Sequence, residues 1–183
     1  MKQLPPDPDI REIVRITESL YPNYSSVNLV WNESPFAWIK SLPFKTVGKV
    51  GEQIVERWCR SQNFDVSSSP GSEADRIING LRVEIKFSTL WNSGIYKFQQ
   101  LRDQAYDVAI CLGFSPFTVH CWGLPKQLIL DQWKSGAIKS QHGGSRGRDT
   151  AWIEVNPNKI QTWLTPPSGK PAEAIQILHT LVN

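Results

Sequence analysis

Residues Leu81 to Ser88 alternate without interruption. Leu81, Val83, Ile85 and Phe87 fall on one side of an extended chain, and Arg82, Glu84, Lys86 and Ser88 fall on the other. Just before them, Asn79-Gly80 supplies two residues that accept the positive φ of a type I′ turn, and Ile77 and Ile78 supply the preceding arm. The pattern predicts a hairpin within residues 73–88. Its register follows by counting from the turn: Ile78 opposite Leu81, Ile77 opposite Arg82, Arg76 opposite Val83, and Asp75 opposite Glu84.

The same reading extends along the chain. Ile10, Ile13, Val14 and Leu20 recur at helical spacing and predict a helix over 9–20. Residues 21–45 are aromatic and broken by Pro22, Pro35 and Pro43, with room for one short helix over 36–41. A second helix is predicted over 46–61, with Val47, Val50, Ile54 and Trp58 as its apolar stripe and Thr46 as its cap. Glu52 lies beside that stripe, on the face it shares with Val55 and Cys59. A short strand follows over 64–67, then a Ser-rich loop, the hairpin, a loop over 89–94 and a helix over 97–105. The nearly continuous apolar run from Asp107 to Phe114 predicts a strand buried on both faces. Strands over 117–122 and 152–155, a helix over 126–134 and a closing helix over 172–181 complete the pattern, with 160–164 a further strand candidate. The expected fold is α/β (α+β): a mixed central sheet flanked by helices. The simplest division is one domain, with an extension over 1–45, a core over 46–165 and a C-terminal helix over 166–183.

Composition narrows the class. A chain of 183 residues, 40% hydrophobic and 20% charged, is long enough for an unstapled core. No apolar run approaches the roughly 18 residues that suggest a membrane span, and Met-Lys-Gln-Leu-Pro-Pro has no signal-peptide core, so a cytoplasmic protein away from membranes is expected. Cys59, Cys111 and Cys121 form no C-x-x-C pair and are expected as reduced core thiols. The net charge of +3 announces no nucleic-acid partner by itself. Its distribution is more telling, with seven basic residues against three acids between Lys126 and Lys170.

Chemistry gathers at the hairpin. Directly opposed side chains on paired strands lie close, and like charges there are destabilising. Asp75 opposite Glu84, with Lys86 two residues along the same face, therefore needs an explanation. Mg²⁺ is one, since it takes oxygen ligands from one or two carboxylates and keeps several waters. A solvated polar face neutralised by Lys86 and Arg82 is the other.

Taken together, Glu52 on the helix before the sheet, Asp75 on one hairpin strand, and Glu84-Ile85-Lys86 on the next resemble the PD-(D/E)xK nuclease superfamily, the fold of most type II restriction endonucleases. The resemblance spans residues 46–122 and extends more loosely to 155. Ala74 stands where the family's name has proline, and Glu73 competes with Asp75 as the first acid. The Gln-x-x-x-Tyr arrangement of the exonuclease-like branch is missing after the hairpin, which favours a restriction-type enzyme. The resemblance implies that Asp75, Glu84 and the Ile85 carbonyl ligate Mg²⁺, with Mn²⁺ able to substitute. Lys86 would orient or help deprotonate the attacking water, and Glu52 would serve a second metal directly or through water. It further implies a homodimer acting on double-stranded DNA, with a DNA methyltransferase encoded nearby.

DNA contact is expected first from the glycine-rich loop over 141–148, where Arg146 and Arg148 suit phosphates or guanine edges and His142 and Ser145 add polar contacts. Trp91, Asn92 and Tyr96 are further candidates, although aromatic side chains also serve packing. Three alternatives remain at this point: a repair or recombination nuclease such as a junction resolvase or nickase, a catalytically inactive DNA-binding domain, and an unrelated α/β protein with a charged hairpin.

Overall fold

The computed structural model describes residues 30–140 and 150–182, together with Ile16. The predicted helix over 9–20, apart from Ile16, and the predicted loop over 141–148 lie outside the described residues. In chain order the elements are α1 (Ala37–Lys40), α2 (Phe44–Ser61), β1 (Val66–Ser68), β2 (Arg76–Ile78), β3 (Leu81–Thr89), β4 (Tyr96–Leu101), β5 (Val108–Phe114), β6 (Val119–Pro125), α3 (Lys126–Lys134), β7 (Lys139–Ser140), β8 (Ala151–Val155) and α4 (Pro171–Val182).

Five strands form a central sheet in the order β1-β2-β3-β5-β6. It is mixed: β3 and β5 run parallel, and the other neighbours are antiparallel. The hairpin register is as counted from the turn, with Arg76 opposite Val83, Ile77 opposite Arg82 and Ile78 opposite Leu81. Asn79 (φ 47°) and Gly80 (φ 86°) make the two-residue loop. The Asn79 amide oxygen also accepts the Asp65 N–H at 2.7 Å, which ties the turn to the approach of β1.

One face of the sheet carries Val83, Ile85, Ile110 and Leu112 and packs with Val55 and Cys59 of α2 and Ala174, Ile175 and Leu178 of α4. The other face carries Ala109, Cys111, Trp122 and Leu124 and packs with Tyr96, Phe98, Ile129 and Ile153. Because both faces are covered, every residue of β5 is buried, as its apolar run predicts. The three cysteines are buried and free, and burial pushes the Cys59 and Cys111 thiols up to about 12.

The largest departure from expectation is β4. Residues 97–105 are not a helix: Tyr96, Phe98 and Leu101 are fully buried along a strand with a bulge between Phe98 and Leu101, where Gln100 sits at φ 59°. This strand leaves the central sheet and pairs with β8, and β7 adds to it, giving a second sheet in the order β4-β8-β7. The crossover between parallel β3 and β5 is thus built from a strand. Two smaller corrections follow. α2 begins at Phe44 with Pro43 at its N-cap and no side-chain cap, so Thr46 does not cap it. Residues 160–164 form no strand.

Helix α2 lies on β3 at unusually short range. Its buried line is Gly51, Val55 and Cys59, with Val47, Val50, Ile54 and Trp58 packed around it. A Cβ built on Gly51 falls 2.3 Å from Cβ of Phe87, so only glycine fits. Gly51→Ala is expected to destabilise the fold by about 1–3 kcal/mol through overpacking, with partial recovery when Phe87→Ala is added. Equal denaturant midpoints for wild type and Gly51→Ala would contradict this packing.

Asp107 pins the starts of β3 and β5. Its Oδ2 accepts the Arg82 backbone N–H at 2.8 Å, and its Oδ1 meets the Arg82 guanidinium at 2.6 Å. The Arg82 side-chain hydrogen bond, above all, holds the Asp107 carboxyl below its ordinary value. A depressed carboxyl contributes stability above the unfolded-state pKa and loses it as pH falls through the folded-state pKa. Urea melts should therefore show Asp107→Asn less stable than wild type at neutral pH, with the gap closing as pH drops below about 4. A gap that does not change with pH would rule out this linkage.

Candidate active site

A cleft of about 450 Å³ opens where α2, the approach to β2, β3 and β4 meet, and its walls include Glu52, Asp75, Ile85 and Lys86. Each arrives for a local reason. Glu52 follows Gly51, so the close approach of helix and strand carries its carboxyl to the edge of the contact. Glu84 and Lys86 leave β3 on the face opposite Val83, Ile85 and Phe87, as strand alternation requires.

Asp75 is placed differently from the expectation. The ladder ends at Arg76–Val83, and the Asp75 N–H bonds the Val83 carbonyl at 3.0 Å, one residue out of register. Asp75 is therefore not a ladder partner of Glu84. Its Oδ2 instead accepts the Ile85 N–H at 2.7 Å, so a side chain takes the place the strand backbone would have filled. The carboxyl still reaches the Glu84-Ile85-Lys86 segment. Glu73, the competing acid, is used elsewhere, where its Oε2 accepts the Ala105 N–H at 2.9 Å.

Glu84 does not line the cleft. It is only 7% exposed, and its Oε1 lies 2.6 Å from Lys86 Nζ. Burial raises the Glu84 carboxyl above its ordinary value, the Lys86 ammonium opposes that shift, and the Asp75 charge adds to it. Glu52 is raised too, by burial and then by Asp75, with Arg76 opposing. The acids thus sense one another through the site.

Arg76 is the residue that sequence reasoning missed. Its Nε meets Glu56 Oε2 at 2.8 Å, its Nη1 lies 3.7 Å from Glu52 Oε2, and Nη1 also donates to the Asp75 carbonyl at 2.6 Å. The available signal was Glu52 and Glu56, one helical turn apart on one face. Lys40 was missed as well. From a segment to which the sequence assigned no chemistry, it lines the cleft and donates to the Leu90 carbonyl at 3.1 Å, and burial lowers its pKa.

Of the expected DNA contacts, Trp91 is 42% exposed on the cleft wall and Asn92 is exposed beside it. Tyr96 is withdrawn. It is fully buried against Gly113, with its hydroxyl 2.9 Å from His120 Nδ1, and it presents no surface to a ligand. His142, Ser145, Arg146 and Arg148 lie outside the described residues.

The oxygen-only set of Asp75, Glu84, the Ile85 carbonyl and Glu52 suits a hard divalent cation, which needs only one or two carboxylates. Burial, and after it the Asp75 charge, raises both Glu84 and Glu52, and a cation among these oxygens would offset that cost. Among the described residues, no three His, Cys, Asp or Glu side chains converge into a ready-made cage. Lys86 and Arg76 hold two of the acids instead.

No protein-family model matches this chain, and no curated protein matches it in sequence. Among solved structures, a bacterial homing endonuclease, I-Ssp6803I, is similar over 76% of this chain and 91% of that one, with a TM-score of 0.46 and 14% identity. Among the described residues, no helix is long and apolar enough to cross a membrane.

Arg76→Met should leave Glu52 and Glu56 without their shared partner and loosen α2 from β2. The expected loss is about 1–3 kcal/mol, the usual cost of removing a charged hydrogen-bond partner. Chemical denaturation measures it, and an unchanged midpoint would show that the bracket carries no stability.

Proposed function

We propose that this protein is a divalent-metal-dependent DNA endonuclease that hydrolyses phosphodiester bonds, of the sequence-specific restriction type. One observation carries the reading: Glu52, Asp75, Ile85 and Lys86 line a single cleft, with Glu84 tied to it through Lys86. Asp75, Glu84 and the Ile85 carbonyl would hold Mg²⁺, or Mn²⁺ in its place, with Glu52 at the margin for a second ion or its water. The cation, when bound, lowers the pKa of water and offsets charge on the phosphoryl group.

The chain's own residues supply the rest. Asp75 is fixed by the Ile85 amide, so its carboxyl is set before substrate arrives. Lys86 lines the cleft wall with its Nζ 2.6 Å from Glu84 Oε1, and its ammonium would orient an attacking water whose proton would leave to solvent. The Glu84 carboxyl, raised by burial, is of the kind that is stabilised by a new positive neighbour. Double-stranded cutting at a symmetric site takes two such clefts, so we expect a homodimer, with a cognate methyltransferase to protect the host's own sites.

Plasmid DNA incubated with Mg²⁺ should yield discrete fragments, and EDTA should abolish them. Asp75→Asn and Lys86→Met should each lower the cleavage rate by roughly 10²–10⁴-fold, with a thermal melt confirming that each variant is folded. Cleavage that persists in EDTA, or that both variants leave intact, would remove the assignment. Cutting confined to branched DNA would move it to a junction resolvase.

A further inference from the structure

The second sheet has one face in the core and one in solvent. Its solvent face carries Lys97 opposite Glu154 and Lys139 opposite Trp152. Lys97 is the hub. Its Nζ lies 4.6 Å from the centre of the Trp91 ring, 4.9 Å from that of Trp152, and 3.1 Å from Glu154 Oε1. Trp91 and Lys97 both line the catalytic cleft, so the aromatic row begins at the proposed cutting site and runs outward along the sheet. Past Trp152 the face opens into a recess of about 200 Å³ that Lys139 and Trp163 also line.

We propose that this face is the track for one unpaired DNA strand leaving the cleft, with bases stacking on Trp91 and Trp152 and phosphates meeting Lys139. The proposal rests on the nuclease reading and extends it to the form of the substrate. Trp91 is exposed and Trp152 half-buried, and both rings are held by the Lys97 cation, so stacking a base on them costs little ordering on binding. In a duplex both faces of each base are covered by its neighbours, so a tryptophan stacks only on a base outside the helix. The Trp91 turn is itself fixed, with its N–H on the Ile95 carbonyl at 2.9 Å and its carbonyl receiving the Gly94 N–H at 2.9 Å. Glu154 is spent on Lys97 and leaves Lys139 to contact phosphate.

The test uses the full chain in EDTA, so that nothing is cut, with fluorescein-labelled DNA as probe: a thymine oligonucleotide, a blunt duplex, and the same duplex with a frayed fork. Fork and single strand should bind tighter than the blunt duplex. Trp152→Ala should weaken them by about 5- to 150-fold, the range measured for losing one stacked base, while Trp152→Phe should retain most of the affinity. Lys139→Glu, at an exposed position with no packing role, should weaken binding and flatten its salt dependence. Trp152→Ala that melts like wild type and binds all three DNAs unchanged would overturn the track. A parallel Mg²⁺ cleavage assay separates the two claims. Cutting of duplex DNA with no effect of Trp152 or Lys139 removes only the track, whereas failure to bind or cut any DNA removes the nuclease reading and the track with it.

Discussion

The contact between Gly51 and Phe87 governs the layout of the site. A helix normally stands off a sheet by the thickness of its side chains. Here one position has none, and the backbone of α2 comes down onto β3. That descent brings Glu52 within reach of Arg76 and Asp75 and lets Val55 and Cys59 fill the core below. A bulkier residue at position 51 would lift the helix and take Glu52 away from the strand that bears Glu84 and Lys86. Packing density, not electrostatic attraction, therefore sets the spacing of the charged groups, and the charges adjust to it.

That adjustment is visible in how the acids are held. Buried carboxylates without partners are costly, and each here has an internal cation or amide: Glu84 has Lys86, Glu52 has Arg76, and Asp75 has the Ile85 N–H. Lys86 and Arg76 offset part of this charge, and a bound cation would compete with them for the same oxygens.

Much of this was legible in the sequence because it is local. The hairpin and its register follow from the φ demands of Asn79-Gly80 and from strict alternation along β3, both short-range constraints. Glu52 was placed by the face it shares with Val55 and Cys59, which is the buried line of α2. The failures are where distant parts decide. The Asp75–Glu84 opposition did not hold because the Asp75 side chain bonds a β3 amide and ends the ladder. Residues 97–105 read as a helix, although Tyr96 and Phe98 alternate as a strand should. The deciding fact, pairing with β8, lies fifty or more residues away. Arg76 was seen only as a neighbour of Val83, because its true partners are on a helix that approaches through tertiary packing.

The strand-built crossover has a consequence for how the molecule comes into being. β4 has no strand partner in the central sheet and acquires one only from β8, at residues 151–155. During synthesis the acids, Lys86 and the helix that carries Glu52 have all emerged well before that partner exists, and pairing across so long a stretch is slow to nucleate. The Lys97 and Gln99 wall of the cleft thus gains its partner strand only after the charged groups have emerged. A chain halted before residue 151 would own every charged group of the site and the strand that bears Lys97 and Gln99, yet lack the β8 partner that pairs with that strand.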